Sequence, residues 1–557
     1  MDLDHRMMDF PLTILHLLER GRALFPNVEV VSRRPDKSLH RQTYAETYAR
    51  SEKLARALVR LGVKKGDRVA TFSWNHREHL ECYLAIPSMG AVVHTLNLRL
   101  HPDELTYIVG HAEDSIVVVD KSLWPLFEKF RARIPSVKHV VVVRDDGSAL
   151  PDGTLDYEAL LAAEEAAPHA AGMTTPEGSP FGVTDERSAS MICYTSGTTG
   201  NPKGVAYTHR SCVLHSLAAA MRDTIGVASS DTILPVVPMF HAMAWGLPYV
   251  GFGMGAKIVF PGPHMDPKSI LDLMSAEKIT LAAGVPTIWI GILAALDQMK
   301  ESGATTWDLS SLRSMLIGGS AAPPALIRGF DERHGLEVVH AWGMTEMNPL
   351  GTLAYVTPEI RAQGHERVME ARASQGLPAP FVEMRHVDDT GRDLPWDGES
   401  MGELWVRGPW VASAYMADDG PDRFTKDGWF KTGDVVTIDA SGYMRITDRS
   451  KDVIKSGGEW ISSVSLENAL MAHPSVLEAA VFAAPHPKWD ERPVAAIVLK
   501  PGQSMTDADV RAHLEPQFPK FWLPDAVLFL AQIPRTSTGK FLKSALRRDH
   551  GDLFKNA

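Results

Sequence analysis

The chain has 557 residues, with 57 Lys and Arg against 68 Asp and Glu, a net charge of −11. Hydrophobic residues make up 45% and charged residues 22%. That is the balance of a globular chain rather than a disordered one, and length alone predicts about three or four domains. The acidic balance excludes a general nucleic-acid binder, which needs a basic footprint, but not a nucleotide held by a few local cations. Cys82, Cys193 and Cys212 contain no C-x-x-C pair and build no disulfide framework, which fits a reducing compartment. Residues 1–10 carry Asp2, Asp4 and Asp9 against Arg6, unlike a signal peptide, and Lys555-Asn556-Ala557 is no peroxisomal or lipidation signal. The expected location is the cytoplasm.

In chain order, apolar residues at helical spacing (Leu54, Leu58, Leu61) predict a helix over 44–61. A strand follows over 68–72, a helix over 79–89, a strand over 91–96 and a helix over 103–111. Val-rich strands are expected at 115–119 and 137–143. Strands alternating with helices imply a largely parallel sheet covered on both faces, an α/β architecture. Residues 232–256 lack Asp, Glu, Lys and Arg, a length that could span a bilayer. Pro235, Pro238, Pro248 and four glycines interrupt the run, so the expectation is a buried strand-turn-helix and no transmembrane segment. Over 381–407 short alternating strands suggest an antiparallel, barrel-like subdomain. Residues 434–447 read as a hairpin turning at Ala440-Ser441-Gly442. Beyond the polar run 448–452, helices at 464–471 and 507–514 and strands at 476–483 and 492–499 suffice for a small α+β domain.

The densest chemical signal is Tyr194-Thr195-Ser196-Gly197-Thr198-Thr199-Gly200-Asn201-Pro202-Lys203-Gly204. Glycines let backbone amides approach an anion, four hydroxyls add donors, and Lys203 supplies a point charge. This suits a polyphosphate cradle, though the spacing is not that of a Walker A loop.

This run resembles the core signature of the adenylate-forming superfamily, which comprises acyl-CoA synthetases, luciferases and peptide-synthetase adenylation domains. Further motifs recur in the superfamily's order: Ala341-Trp342-Gly343-Met344-Thr345-Glu346, then Gly428-Trp429-Phe430-Lys431-Thr432-Gly433-Asp434. Next come Asp448-Arg449-Ser450-Lys451-Asp452 with Lys455-Ser456-Gly457-Gly458-Glu459, and finally Pro534-Arg535-Thr536-Ser537-Thr538-Gly539-Lys540. The resemblance implies the adenylate-forming fold. A large N-terminal AMP-binding domain (1–448), of αβ sheets plus a barrel-like subdomain, precedes a small mobile α+β cap (449–557). It implies ATP, Mg²⁺ and CoA as the small molecules used, a carboxylic acid as partner, no nucleic acid, and leaves a homodimer open.

Residue by residue, the resemblance assigns Thr195, Ser196, Gly197, Thr198, Thr199, Gly200 and Lys203 to the β- and γ-phosphates. Thr345 goes to the α-phosphate, and Glu346, with Thr198, to Mg²⁺. Trp342 and Gly343 lie on one side of adenine and Gly318, Gly319, Ser320 and Ala321 on the other. Asp434 takes the ribose, joined by Arg449 and Lys455. Lys540 is the lysine of the first catalytic step, Lys451 marks the hinge, and Gly457, Gly458 and Glu459 face CoA after the cap swings.

Val237-Pro238-Met239-Phe240-His241 resembles the family's motif near the substrate carboxylate, which makes His241 a catalytic candidate and equally a core histidine. No Asp or Glu occurs over 232–265; amino-acid-activating relatives carry an aspartate there, so an uncharged acyl tail is expected. Trp245 matches the tryptophan that gates the tunnel of fatty-acyl relatives, with Gly246, Val285 and Gly318 as further pocket candidates. The expected reaction is acid–CoA ligation of an apolar acid, a medium- or long-chain fatty acid. The alternatives are a short, aryl or methylthio-alkanoic acid, or an adenylation enzyme loading a separate carrier protein. A hydrolase reading fails because Gly398-Glu399-Ser400-Met401-Gly402 lies in a polar turn before a strand, where a nucleophile elbow needs strand, turn and helix.

Overall fold

The structure is a computed structural model describing residues 6–144, 147–165, 173, 175, 177–195, 201–303, 307–449, 451–456, 459–535 and 541–554. Among these residues the strands form four sheets. One is seven-stranded, in the order Leu155–Asp156, His139–Val143, Ile116–Asp120, Arg68–Phe72, Val92–Thr95, Ala189–Tyr194, Gly204–Thr208. Its pairs are parallel except the last, an antiparallel hairpin. Every residue of Ile116–Asp120 is buried, as a central parallel strand covered on both faces requires.

The second sheet has nine strands. Its parallel centre runs through Val338–Gly343, Ser314–Ile317, Leu281–Gly284, Thr232–Pro235, Lys257–Phe260 and Glu29–Arg33. Antiparallel strands close its edges, Leu39–Thr43 on one side and Leu350–Leu353 with Leu377–Pro378 on the other. The main apolar core lies between the two sheets, drawing Val69 and Ile116 from one and Val30 and Ile233 from the other. The helix Arg77–Ser88 is buried at every position between them. Its Glu81 accepts from Arg50 (2.7 Å) and Tyr157 (2.7 Å), since a carboxylate in such a place needs donors.

Local chemistry explains the element boundaries. The helix predicted over 44–61 runs Tyr44–Arg60 behind a capping box, in which Thr43 and Glu46 satisfy each other's backbone amides. The strand at 68–72 and the helix at 507–514 fall where the pattern put them. The uncharged run becomes a strand, a turn, the buried helix Leu247–Met254 and the approach to Lys257–Phe260. It is apolar because it is core. Among the described residues no helix is long and apolar enough to cross a membrane.

The segment expected to be barrel-like is a four-stranded antiparallel meander, Glu383–Val387, Gly402–Arg407, Phe430–Ile438 and Met444–Arg449; the last two form the expected hairpin. The fourth sheet joins Glu459–Ile461, Ile454–Ser456, Asp490–Leu499, Val476–His486 and Ala526–Phe529, covered by Ser463–Met471, Asp507–Leu514 and Lys543–His550. The fold is thus mixed α/β, with a large N-terminal and a smaller C-terminal domain. A buried charged cluster links them: Asp448 accepts from the Ser463 amide (2.6 Å), and Lys543 reaches Ser463 (2.6 Å) and Glu467 (2.7 Å).

Candidate active site

The glycine-rich loop leaves the strand Ala189–Tyr194 and returns on Gly204–Thr208. Its neck is tied twice: the Thr195 amide donates to the Lys203 carbonyl (2.9 Å), and the Lys203 amide to Thr195 Oγ1 (3.2 Å). Ser196, Gly197, Thr198, Thr199 and Gly200 lie outside the described residues. The Lys203 ammonium lies 5.0 Å from the centre of the Tyr415 ring and packs against Gly420, where an added Cβ would displace it. Tyr415 in turn donates its hydroxyl to Glu346 Oε1 (2.5 Å), and Tyr207 donates to the Thr345 carbonyl (2.6 Å). Burial, with Glu346 beside it, holds the Tyr415 phenol well above its ordinary value, so it remains a donor. Loop lysine, Tyr415, Glu346 and Thr345 therefore form one connected group.

A second group draws one side chain from each of three strands. Trp342, on Val338–Gly343, is buried, and its indole N–H donates to Asp434 Oδ2 (2.9 Å). Asp434 and Arg449 are registered partners across the meander, with Arg449 Nε 2.6 Å from Asp434 Oδ1. That oxygen, shut away from solvent, has no hydrogen-bond partner despite the ion pair. A Cβ at Gly343 would run into the Pro349 carbonyl, so the backbones touch there.

The third group is the turn Ala242–Gly246. Ala242, Met243, Ala244 and Trp245 all have positive φ, between 43° and 58°, and Gly246 continues at 74°. This left-handed run aims Trp245 at the loop after Ser314–Ile317. A Cβ on Gly318 would lie 3.0 Å from Trp245 Cη2, and one on Gly319 would lie 3.3 Å from Val285 Cγ1. Trp245, Val285, Gly318 and Gly319 are thereby gathered, with Ser320 exposed and Ala321 half-buried beside them. His241 enters this turn, half-buried, its amide bonded to the Pro238 carbonyl (3.1 Å). Asn75 pins the approach by donating to the carbonyls of Pro235 (2.9 Å) and Val237 (2.8 Å) and accepting from the Met239 amide (2.7 Å).

Not every expected residue joins these groups. Lys455 is exposed on the C-terminal sheet, its ammonium 5.5 Å from the Trp460 ring centre and its amide bonded to Glu491 (2.8 Å); no described contact ties it to Asp434. Lys451 is exposed between the domains. Lys540, Gly457, Gly458 and the Glu459 side chain lie outside the described residues. Trp289, four residues beyond Val285, is wholly buried in a separate apolar core with Ile292 and Phe330, donating to the Leu316 carbonyl (3.1 Å). Tyr207 and Tyr415 went unread in the sequence, for single tyrosines outside a motif carry no local signal.

The family model described as AMP-binding enzyme matches residues 18–416, and the one described as AMP-binding enzyme C-terminal domain matches 465–540. The chain is 47% identical over 554 residues to a long-chain-fatty-acid–CoA ligase of Thermus thermophilus, covering 99% of this chain and 98% of that one. It is 43% identical over 555 residues to a 3-methylmercaptopropionyl-CoA ligase of Ruegeria lacuscaerulensis, covering 99% of each. Among solved structures, ATP-bound MatB from Rhodopseudomonas palustris superposes with a TM-score of 0.80 at 28% identity, covering 97% of this chain and 99% of that one. Fold and motifs define an adenylate-forming enzyme. The chain belongs to the AMP-binding enzyme family.

Proposed function

We propose that this chain is an ATP-dependent acid–CoA ligase for a medium- or long-chain fatty acid. The observation that carries the reading is the 47% identity along 554 residues to a long-chain-fatty-acid–CoA ligase. In the first step a carboxylate oxygen attacks the α-phosphorus of ATP and the bond to pyrophosphate breaks, leaving an acyl-AMP. In the second the CoA sulfur attacks the acyl carbon, loses its proton, and AMP departs. Two anions meet in the first step, so fixed donors and cations must offset their repulsion.

The loop 195–203 with Lys203 takes the β- and γ-phosphates, and Thr345 the α-phosphate. Trp342 and the loop 318–321 flank adenine. Asp434 holds the ribose, a role supported by its carboxylate standing between Trp342 and Arg449. Glu346, a buried carboxylate steadied by Tyr415, would hold Mg²⁺ together with Thr198, oxygen donors of the kind that ion takes. When bound it would offset phosphate charge as pyrophosphate leaves. His241 and Lys540 act at the substrate carboxylate, and Trp245 gates the acyl tail. We place the domain boundary after residue 448, with Lys451 as hinge and Gly457, Gly458 and Glu459 turned to CoA in the second step. A cytoplasmic location goes with the three buried free thiols.

A methylthio-alkanoic acid is the second reading, favoured by the 43% identity to the Ruegeria ligase. A panel of acids assayed with free CoA decides between them: chains of eight carbons or more should turn over fastest, and a maximum at a methylthio-propanoate would overturn the first reading. Trp245→Ala should shift the preferred chain length within that panel. Lys540→Ala should abolish pyrophosphate release from ATP while sparing thioester formation from supplied acyl-AMP; equal loss of both would count against a swinging cap.

A further inference from the structure

Beyond Tyr415, residues 416–420 lie against the neck of the glycine-rich loop at two points. A Cβ on Gly204 would lie 2.8 Å from Met416 Sδ and 3.1 Å from Tyr194 Cζ, so both side chains close over Gly204. Further on, Gly420 packs against the Lys203 ammonium. The strap between is turned tightly. The Asp418 amide donates to the Tyr415 carbonyl (3.2 Å) and the Asp419 amide to the Met416 carbonyl (3.3 Å), with Ala417 and Asp418 both at a φ of 55°. Non-glycine residues keep such angles only where their surroundings impose them. Among the described residues no carboxylate stands within ion-pair distance of the Lys203 ammonium; the Tyr415 ring face and this turn hold it.

One further side chain ties the strap to the strand that leads into the loop. Tyr194 ends the strand Ala189–Tyr194 and pairs with Gly204 across the hairpin. Its hydroxyl and His111 Nδ1 share a hydrogen bond of 2.6 Å. His111 lies in the last turn of the helix Pro102–Ala112 and stacks on Tyr107, with 5.4 Å between ring centres and 20° between planes. Its Nε2 stands 3.9 Å from Asp419 Oδ2, on the strap. Burial holds the Tyr194 phenol well above its ordinary value, so it keeps its proton. In the tautomer in which that hydroxyl donates to Nδ1, the ring proton sits on Nε2 and faces Asp419.

We propose that His111 is a positioning residue for ATP: through Tyr194 and Asp419 it joins the neck of the loop to the strap, and so fixes where the Lys203 ammonium stands. It touches no substrate itself. A lysine is a point charge on a flexible stem, so its distance from a phosphate depends on the groups behind it. The inference rests on the proposed contact of Lys203 with the β- and γ-phosphates.

AMP lacks those two phosphates, which supplies the test. The full-length protein is titrated calorimetrically with ATP, without acid, and in parallel with AMP. Lys203→Met should weaken ATP about tenfold to a hundredfold, the range of a hydrogen bond to a charged group, and leave AMP unchanged. His111→Phe and Tyr194→Phe should each weaken ATP about threefold to tenfold, the range of a neutral hydrogen bond, again without effect on AMP. Placed on Lys203→Met, either should cost nothing more, because the charge they position is gone. Should His111→Phe fail to fold, Tyr194→Phe, which removes a single oxygen, decides alone. Equal weakening of ATP and AMP would make the contact purely structural and overturn the inference, as would an unchanged ATP affinity or losses that add to that of Lys203→Met. An ATP affinity indifferent to Lys203→Met would overturn the phosphate contact of Lys203, and the inference with it.

Discussion

Asp434, proposed above to hold the ribose, is fully buried against Trp342 and Arg449. Replacing it with Asn keeps an oxygen for the Trp342 N–H but removes the charge opposite Arg449. A hydrogen bond to a charged group contributes roughly 1.5–3 kcal/mol, so Asp434→Asn should raise the KM for ATP about tenfold to a hundredfold. The change in kcat should be smaller, because ribose binding is shared by ground and transition states. Pyrophosphate-release kinetics check this, and an unchanged KM would leave Asp434 as a support for Trp342 only. The aspartate stood out in the sequence because it sits in a motif. That Trp342 spends its N–H on it was not legible, since the two are 92 residues apart and only the meander brings them together. Tyr415 escaped for the same reason: its value lies in reaching Glu346, a tertiary fact.

Among elements, the helices and strands with clear periodicity were readable from their side chains alone, and capping chemistry such as that of Thr43 and Glu46 fixed their ends. The turn Ala242–Gly246 was not. Four consecutive non-glycine residues in the left-handed region contradict local preference, at about 1–2 kcal/mol each, and such a run persists only where surrounding packing imposes it. The packing is visible at Gly246: an added Cβ would lie 2.5 Å from His215 Cε1 and 2.6 Å from Nδ1, and His215 is held against Trp410. Gly246→Ala thus combines a positive-φ penalty with overpacking, each roughly 1–3 kcal/mol. We expect a loss of about 2 kcal/mol or more, seen as a lower urea midpoint at unchanged slope. A stability equal to wild type would show that His215 yields easily and that the turn is held elsewhere.

At the scale of the whole molecule, alternation of helix and strand announced parallel α/β sheets, while the interleaving of strands such as Glu29–Arg33 beside Lys257–Phe260 depends on contacts over two hundred residues apart and leaves no local trace. The same long-range burial sets how the protein responds to acid. His79 and His215 are pushed down to about 3, and His209 and His340 to about 4, in each case chiefly by burial. They sit in both large sheets' layers, so their effects add to one global transition. An unfolded histidine titrates near 6.5. Between that value and the native ones, the unfolded chain binds protons that the folded chain refuses, so stability is fully present above pH 6.5 and falls as pH drops. Buried carboxyls raised by desolvation, Asp114, Asp448 and Glu467, pull the other way and soften the slope. His76, held protonated by Asp120 and Glu78, is charged in both states well below pH 6.5 and adds nothing there. One histidine isolates the effect. Neither ring nitrogen of His215 has a hydrogen-bond partner among the described residues, so His215→Phe removes a titrating group without orphaning a donor or acceptor. Around pH 5 it should reduce the proton uptake on unfolding by about one, flattening stability against pH by about 1.4 kcal/mol per unit. Urea unfolding of both proteins at pH 5, 6 and 7 measures this directly; parallel slopes would mean that His215 is already protonated, and therefore hydrated, in the native state.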